Sequence, residues 1–393
     1  MFTPKNWTYS LPAALLLMAP FDLLASLGMD VYLPVVPLMP AILATTPATV
    51  QLTLSLYIVM LGFGQLLFGP LSDRVGRRPV LLAGVMLFTA ASVALAYTGW
   101  APAFVGLRIV QAAGGAAMLV ATFATVRDVY ADRPESAVIY GLFGSMLAFV
   151  PAVGPVLGAL IDHVAGWRGI FMVLAVLGAM AGMQALLRWP ETRPVGEKAQ
   201  RLRVGAILGN AAFWIYTIGF SAAMGAFFVY FSTAPRLLIE RLGLSPTVFS
   251  LLFATAALVM IATSRFAGRF VERWGFRGCL VRGMGLLFGG GVLLALGQLF
   301  LFPSVLAFIL PVWVVSAGIA VTCAVTANGA LRPFGEAAGT AVAVYYCIES
   351  IVVAAAGTLA VLLLPGDTAW PLAAFCVVLA LLTIGLSRYL PDE

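Results

Sequence analysis

Gly69-Pro70-Leu71-Ser72-Asp73-Arg74-Val75-Gly76-Arg77-Arg78 returns at an offset of 199 residues as Gly268-Arg269-Phe270-Val271-Glu272-Arg273-Trp274-Gly275-Phe276-Arg277. Both stretches read Gly-x-x-x-acid-Arg-x-Gly-x-Arg. The offset is close to half of the 393-residue chain, and each copy lies between two long apolar runs. The glycines repeat along with the charges, which two unrelated basic segments would not do. Each copy reads as a short charged hairpin.

The rest of the chain is 62% hydrophobic and only 10% charged, with a mean hydropathy of +1.04. A soluble domain has no place for so much apolar sequence. Apolar stretches of about 20 residues recur, each long enough to span hydrocarbon. Twelve spans are expected, at 11–33, 51–71, 79–98, 103–125, 138–161, 168–188, 211–234, 247–267, 279–300, 304–327, 337–364 and 369–389. The fold class is therefore an all-α membrane protein of twelve transmembrane helices in two six-helix halves, 1–188 and 211–393. The polar segment 189–210, with Glu191, Arg193, Glu197, Lys198, Arg201 and Arg203, is the expected cytoplasmic linker. A charged segment at the same place in each half of a duplicated membrane protein is the pattern of transporters built from two parallel repeats. The first apolar run contains Asp22 and Asp30 and continues to Leu33, so it reads as a span and not as a cleaved signal.

Twelve spans place both termini on one side. Eighteen of the 22 Lys and Arg fall in the connections on that side; Arg168, Arg236 and Arg241 lie opposite, and Arg108 lies within a span. Positive residues stay inside, so both termini are expected in the cytoplasm. The +6 charge is spread over short loops and does not form the face that nucleic acid needs. Cys279, Cys323, Cys347 and Cys376 occur singly and read as small apolar fillers. His163 is the sole histidine. No metal site, no cofactor and no catalytic cluster is expected, which argues against a membrane enzyme.

The polar residues inside the spans carry the chemistry. Asp22 and Asp30 are eight residues apart, about 12 Å along a helix and about 80° around it, with Ser26 between them. An ionised carboxylate in hydrocarbon is costly, so such acids face a cavity, meet a cation or take up a proton. Asp30 has a second reading, as a cap on the turn at Tyr32–Pro34. Arg108 in span four costs about 2.5–3.5 kcal/mol on insertion scales. It either pairs with Asp22 or Asp30 or bonds backbone carbonyls. In span five, Gly154 and Gly158 admit a neighbouring helix, while Pro151 and Pro155 bend the span. Glu349, mid-span in the second half, is either a second proton site or a neutral acid bonded across helices.

Four motifs resemble the major facilitator superfamily. The Gly69–Arg78 segment resembles its loop 2–3 signature, and Gly268–Arg277 the weaker echo. Arg108-x-x-Gln111 with Gly114 and Gly115 resembles the span-four motif, with Ala112 in place of its first Gly. Gly154-Pro155-x-x-Gly158 resembles the antiporter motif, and Asp30-Val-Tyr-Leu-Pro34 that of twelve-span drug:proton antiporters. Pro20–Asp30, Ala121–Asp128 and Asp367–Pro371 are similar to the bicyclomycin/chloramphenicol-resistance branch, which includes chloramphenicol and florfenicol exporters.

The resemblance implies a proton-coupled antiporter that exports phenicol drugs across the bacterial inner membrane by alternating access. Its partners would be the drug, protons and membrane lipid, and the chain would act as a monomer. A carrier for another drug, or for uptake of a small metabolite, is the alternative. Asp22, Asp30, Arg108 and Glu349 are the expected proton-coupling residues. Asp22, Ser26, Tyr57, Arg108, Gln111, Phe227, Phe228, Phe231 and Tyr345 are expected to hold the substrate. Gly69, Asp73, Arg74, Gly76, Arg77 and Arg78 form the expected conformational latch between the halves.

Overall fold

The computed structural model describes residues 7–130, 135–193, 204–301 and 303–390. Residues 194–203, the middle of the expected linker 189–210, lie outside the described residues, as do Lys5 and Arg133. The described chain is helical. In order, the helices are α1 (Leu11–Asp30), α2 (Met39–Ile42), α3 (Pro47–Val75), α4 (Arg77–Tyr97), α5 (Ala101–Tyr130), α6 (Glu135–Arg188), α7 (Val204–Leu208), α8 (Ala211–Pro235), α9 (Pro246–Ser264), α10 (Ala267–Phe300), α11 (Val305–Leu331), α12 (Ala338–Leu363) and α13 (Trp370–Leu386). Helices are forced on a chain in hydrocarbon, because every backbone N–H and C=O must find its partner within the segment. Long apolar side chains such as Leu16, Met86, Leu187 and Leu363 point outward, while Asp22, Arg108, Gln111 and Glu349 are buried. That distribution suits a lipid exterior.

Among the described residues, eleven helical stretches are long and apolar enough to cross a membrane. The expected fifth and sixth spans both lie within α6, where Gly166 (φ 69°, ψ 174°) interrupts the helix and separates them. The chain divides into two compact units, residues 1–199 and 200–393. Within each unit the same pair of helices approaches through glycine. A Cβ on Gly84 of α4 would stand 2.9 Å from the Gly114 carbonyl oxygen of α5. In the second unit, a Cβ on Gly283 of α10 would stand 3.1 Å from the Gly318 oxygen of α11. Small residues replace the hydrophobic drive that lipid removes from helix association.

The repeated motif is not the hairpin loop its charges suggest. Gly69–Val75 is the last part of α3, and α4 begins at Arg77, so Gly76 alone (φ 112°, ψ 160°) makes the turn. In the second copy, residues 267–274 are helical, Gly275 (φ 64°, ψ 179°) breaks the helix, and the span resumes after it. The equivalent glycines of the repeat thus share a backbone conformation that other residues reach at about 1–3 kcal/mol. A Cβ on Gly76 would also collide with the Glu191 carboxylate. Gly275→Ala is therefore expected to lower the thermal denaturation midpoint of the purified protein, and Gly76→Ala to lower it further; equal midpoints for both variants and the parent would contradict this.

Candidate functional site around a buried arginine

Four helices of the first unit converge at Gly28 of α1. A side chain there would strike the Tyr57 hydroxyl of α3, and its Cβ would lie 3.1 Å from the Phe88 ring of α4. The open carbonyl of Gly28 accepts a 2.7 Å hydrogen bond from Arg108 Nη1 of α5. The same nitrogen donates to Gln111 Oε1 at 2.5 Å. Gln111 Nε2 donates onward to Ser92 Oγ at 2.8 Å, and Ser92 Oγ donates to the Phe88 carbonyl at 2.7 Å. Tyr57 donates to the Ala25 carbonyl at 2.9 Å. The Arg108 guanidinium carbon lies 4.4 Å from the Tyr57 ring centre and 5.0 Å from that of Tyr32. Arg108 and Gln111 are both 0% exposed.

The expected ion pair between Arg108 and Asp22 or Asp30 is absent. Arg108 forms no salt bridge among the described residues, and its Nε and Nη2 have no hydrogen-bond partner. Two aromatic faces, a carbonyl and an amide surround the charge instead. A desolvated cation over an aromatic ring gains about 2 kcal/mol, so two rings take the place a carboxylate would hold. The second sequence reading of Arg108, a bond to backbone carbonyl, describes this geometry. Tyr32 and Ser92 complete the site, and sequence reasoning did not single them out for it. The signal for Tyr32 was its position just beyond Asp30, in the stretch Asp30–Pro34 that was quoted as a motif.

Asp22 and Asp30 are buried, with exposures of 8% and 5%, and neither forms a hydrogen bond or ion pair among the described residues. Asp30 therefore does not cap the following turn. It lies within electrostatic reach of the Tyr57 hydroxyl. Ser26, between the acids, is half-buried. The antiporter-like motif packs onto this end of α1. A Cβ on Gly154 would stand 2.6 Å from Asp30 Cβ, and one on Gly158 would overlap the Val31 carbonyl oxygen. Pro155 lies between these glycines in α6.

The six expected latch residues belong to one network inside the first unit. Arg77 Nη1 pairs with Asp73 at 2.6 Å, and Arg77 Nε with Asp128 of α5 at 2.8 Å. Ser72 Oγ accepts from Arg77 Nη1 at 2.8 Å and donates to the Gly69 carbonyl at 3.1 Å. Glu191 accepts from the backbone N–H of Arg77 at 2.8 Å and of Arg78 at 3.2 Å, which caps the start of α4. Arg78 Nη2 donates to the Leu186 carbonyl at 2.8 Å, and Arg193 donates to the Arg74 carbonyl. Asp128 and Glu191 are the partners that the repeat alone did not reveal, because both lie far from it in sequence.

In the second unit, Glu349 of α12 is 8% exposed and accepts from Ser350 Oγ at 3.1 Å. Cys323 of α11 and Tyr345 and Tyr346 of α12 are within its electrostatic reach. Tyr345 stacks on Phe220 of α8 at 4.9 Å. Phe228 is buried against Gly357 of α12, and Phe231 is buried beside Phe253 of α9 at 5.9 Å. Both rings are buried within this unit. Phe227 is half-buried and lies 6.3 Å from Phe253.

The glycine contacts generate a paired expectation. Gly158→Ala places a methyl on the Val31 carbonyl and should lower the denaturation midpoint, since overpacking costs about 1–3 kcal/mol. Gly106→Ala in α5 meets nothing within 4 Å and should leave the midpoint unchanged or raise it. Thermal unfolding of the two purified variants compares them directly.

Residues 22–358 match the Major Facilitator Superfamily. The chain is 54% identical over 386 residues to a chloramphenicol resistance protein of Pseudomonas aeruginosa, covering 97% of this chain and 91% of that protein. It is 27% identical over 328 residues to multidrug resistance protein D of Escherichia coli, covering 83% and 82% of the two chains. The crystal structure of a D-xylose-proton symporter superposes with a TM-score of 0.79 at 16% identity, over 98% of this chain and 99% of that one, which shows the shared fold. The chain belongs to the Major Facilitator Superfamily, a family of membrane transporters and not of enzymes.

Proposed function

We propose that the chain exports chloramphenicol, and florfenicol with it, across the bacterial inner membrane in exchange for protons. The observation that carries this reading is the 54% identity to a chloramphenicol resistance protein along 97% of the chain. The site chemistry supports it. Asp22 and Asp30 are buried acids that no cation neutralises among the described residues, so a proton is the charge available to them in hydrocarbon. Arg108 keeps two donor nitrogens, Nε and Nη2, free of partners. Tyr57, Gln111 and Ser26 place hydroxyl and amide groups along the same helices, in keeping with an apolar pocket that orients a neutral drug through a few polar atoms. Phe227 and Tyr345 supply aromatic surface in the second unit. On this reading the chain acts as a monomer, and the bias of 18 of its 22 basic residues argues for both termini in the cytoplasm.

One proton moving down 100 mV supplies about 2.3 kcal/mol, enough for roughly a fifty-fold drug gradient at one-to-one exchange. Cells expressing the chain should accumulate less labelled chloramphenicol than control cells, and a protonophore should abolish the difference. Accumulation that rises on expression would instead establish uptake, and accumulation that ignores the protonophore would remove proton coupling.

Within this reading the acids separate by role. Asp22→Asn should abolish chloramphenicol resistance while the protein remains in the membrane. Arg108→Lys should also fail, because a compact ammonium cannot lie flat on two tyrosine rings while bonding Gly28 and Gln111. Glu349→Gln should keep most resistance, since Gln retains the shape and the acceptor that Ser350 uses. The inhibitory drug concentrations of the three strains, compared at pH 7, decide the matter; equal loss in Glu349→Gln would make the second unit part of the coupling chemistry.

A further inference from the structure

The second copy of the repeated motif keeps two of the three arginines of the first but not the full set of acids around them. At the offset of 199, Arg77 becomes Phe276, Asp128 becomes Ala327 and Glu191 becomes Leu390, and only Asp73 keeps an acid, Glu272. Between residues 265 and 282 there are five arginines and one acid. Arg265, Arg269, Arg273 and Arg282 form no ion pair among the described residues. Two of them rest on aromatic rings instead. The Arg269 guanidinium lies 5.7 Å from the Phe266 ring centre, and that of Arg282 lies 4.8 Å from Trp274. Arg282 Nη1 also donates to the Gly278 carbonyl at 3.2 Å.

Beside these arginines opens a cavity of about 650 Å³, bounded by the end of α9, by α10 on both sides of Gly275 and by α11. Its walls include Phe270, Trp274, Val281, Leu286 and Val321, and Arg282 is the charged residue among those lining it. Phe270 and Trp274 stack at 4.9 Å and 6°, which makes one wall a flat aromatic surface. A Cβ on Gly285 would meet nothing within 4 Å, so the wall is open at that level. None of the residues assigned above to drug or proton lines this cavity.

We propose that this groove binds an anionic glycerophospholipid of the adjoining leaflet, with its phosphate on Arg282 in the field of Arg269 and Arg273 and an acyl chain along Val281, Leu286 and Val321. The counter-charge that Asp73 and Asp128 supply to Arg77 and Arg127 in the first unit would come here from the membrane. Charge complementarity selects an anionic lipid over a zwitterionic one, and the apolar walls select a lipid over a free phosphate. Each arginine near such a headgroup contributes about a five-fold preference. The proposal does not rest on the export reading, and its test does not use the drug.

The full-length protein, purified in detergent, would be mixed with phosphatidylglycerol, with phosphatidylcholine of the same acyl chains, or with inorganic phosphate, and bound lipid counted by native mass spectrometry. Phosphatidylglycerol should be retained in preference to phosphatidylcholine. Arg282→Gln should reduce that retention about five-fold. Leu286→Trp should reduce it as well by filling the groove without touching a charge. Arg388→Gln, at an exposed arginine that does not line the groove, should leave it unchanged. Equal retention of the two lipids, an equal loss in Arg388→Gln, no loss in Leu286→Trp, or displacement of the lipid by millimolar phosphate would each overturn the proposal.

Discussion

Arg108 is a permanent charge with no exposed surface, and the first unit is arranged around the need to accommodate it. Its insertion costs about 2.5–3.5 kcal/mol, and hydrogen bonds from a charged group return about 1.5–3 kcal/mol each. Those bonds require a carbonyl on α1 that is open to the side, which Gly28 provides, and an amide held still, which Ser92 provides through Gln111. The aromatic faces require Tyr57 from α3 and Tyr32 from beyond α1. The close approach of α4 to α5 at Gly84 and Gly114 brings Ser92 within reach. Helix packing and the solvation of one guanidinium are thus a single problem with one solution.

The same solution leaves the carboxylates uncommitted. Had Arg108 paired with Asp30, the acid would be held ionised by a cation fixed in place. With the guanidinium lying on two rings, Asp22 and Asp30 are free to take a proton or a hydrogen bond from a ligand, and Arg108 Nε and Nη2 are free to give one. Gly154 and Gly158 press α6 against α1 at Asp30 and Val31. A change in the charge of Asp30 is therefore felt by the helix that carries the antiporter-like motif, because no side chain cushions the contact.

The helical architecture was legible in the sequence because hydrocarbon permits little else, and the repeat exposed the duplication. The form of the repeated segment was misread for a physical reason. Glycine beside charge looks like a loop, yet Asp73 and Arg77 are four residues apart, a spacing that pairs on a helix face and pairs here at 2.6 Å. Only the glycine at 76 or 275 leaves the helix. Gly166 does the same in α6, within the short connection 162–167 between the expected fifth and sixth spans. The buried polar residues of the spans were legible by type and position, but their partners were not. Counting charges predicts that Arg108 finds an acid; it does not weigh a carbonyl opened by Gly28 and two ring faces brought from distant segments.

Duplication explains where the two units agree, and its erosion explains where they differ. Close helix approach at glycine survives in both, at Gly84 and Gly283, because a larger residue at either position meets backbone. The charge network does not survive, since Arg77, Asp128 and Glu191 have no charged equivalents in the second unit. Backbone packing has no substitute, whereas a carboxylate partner can be replaced by water, an aromatic ring or a lipid phosphate. Geometry that only glycine satisfies is therefore retained through divergence, and charge that the surroundings can neutralise is the part of the repeat that drifts.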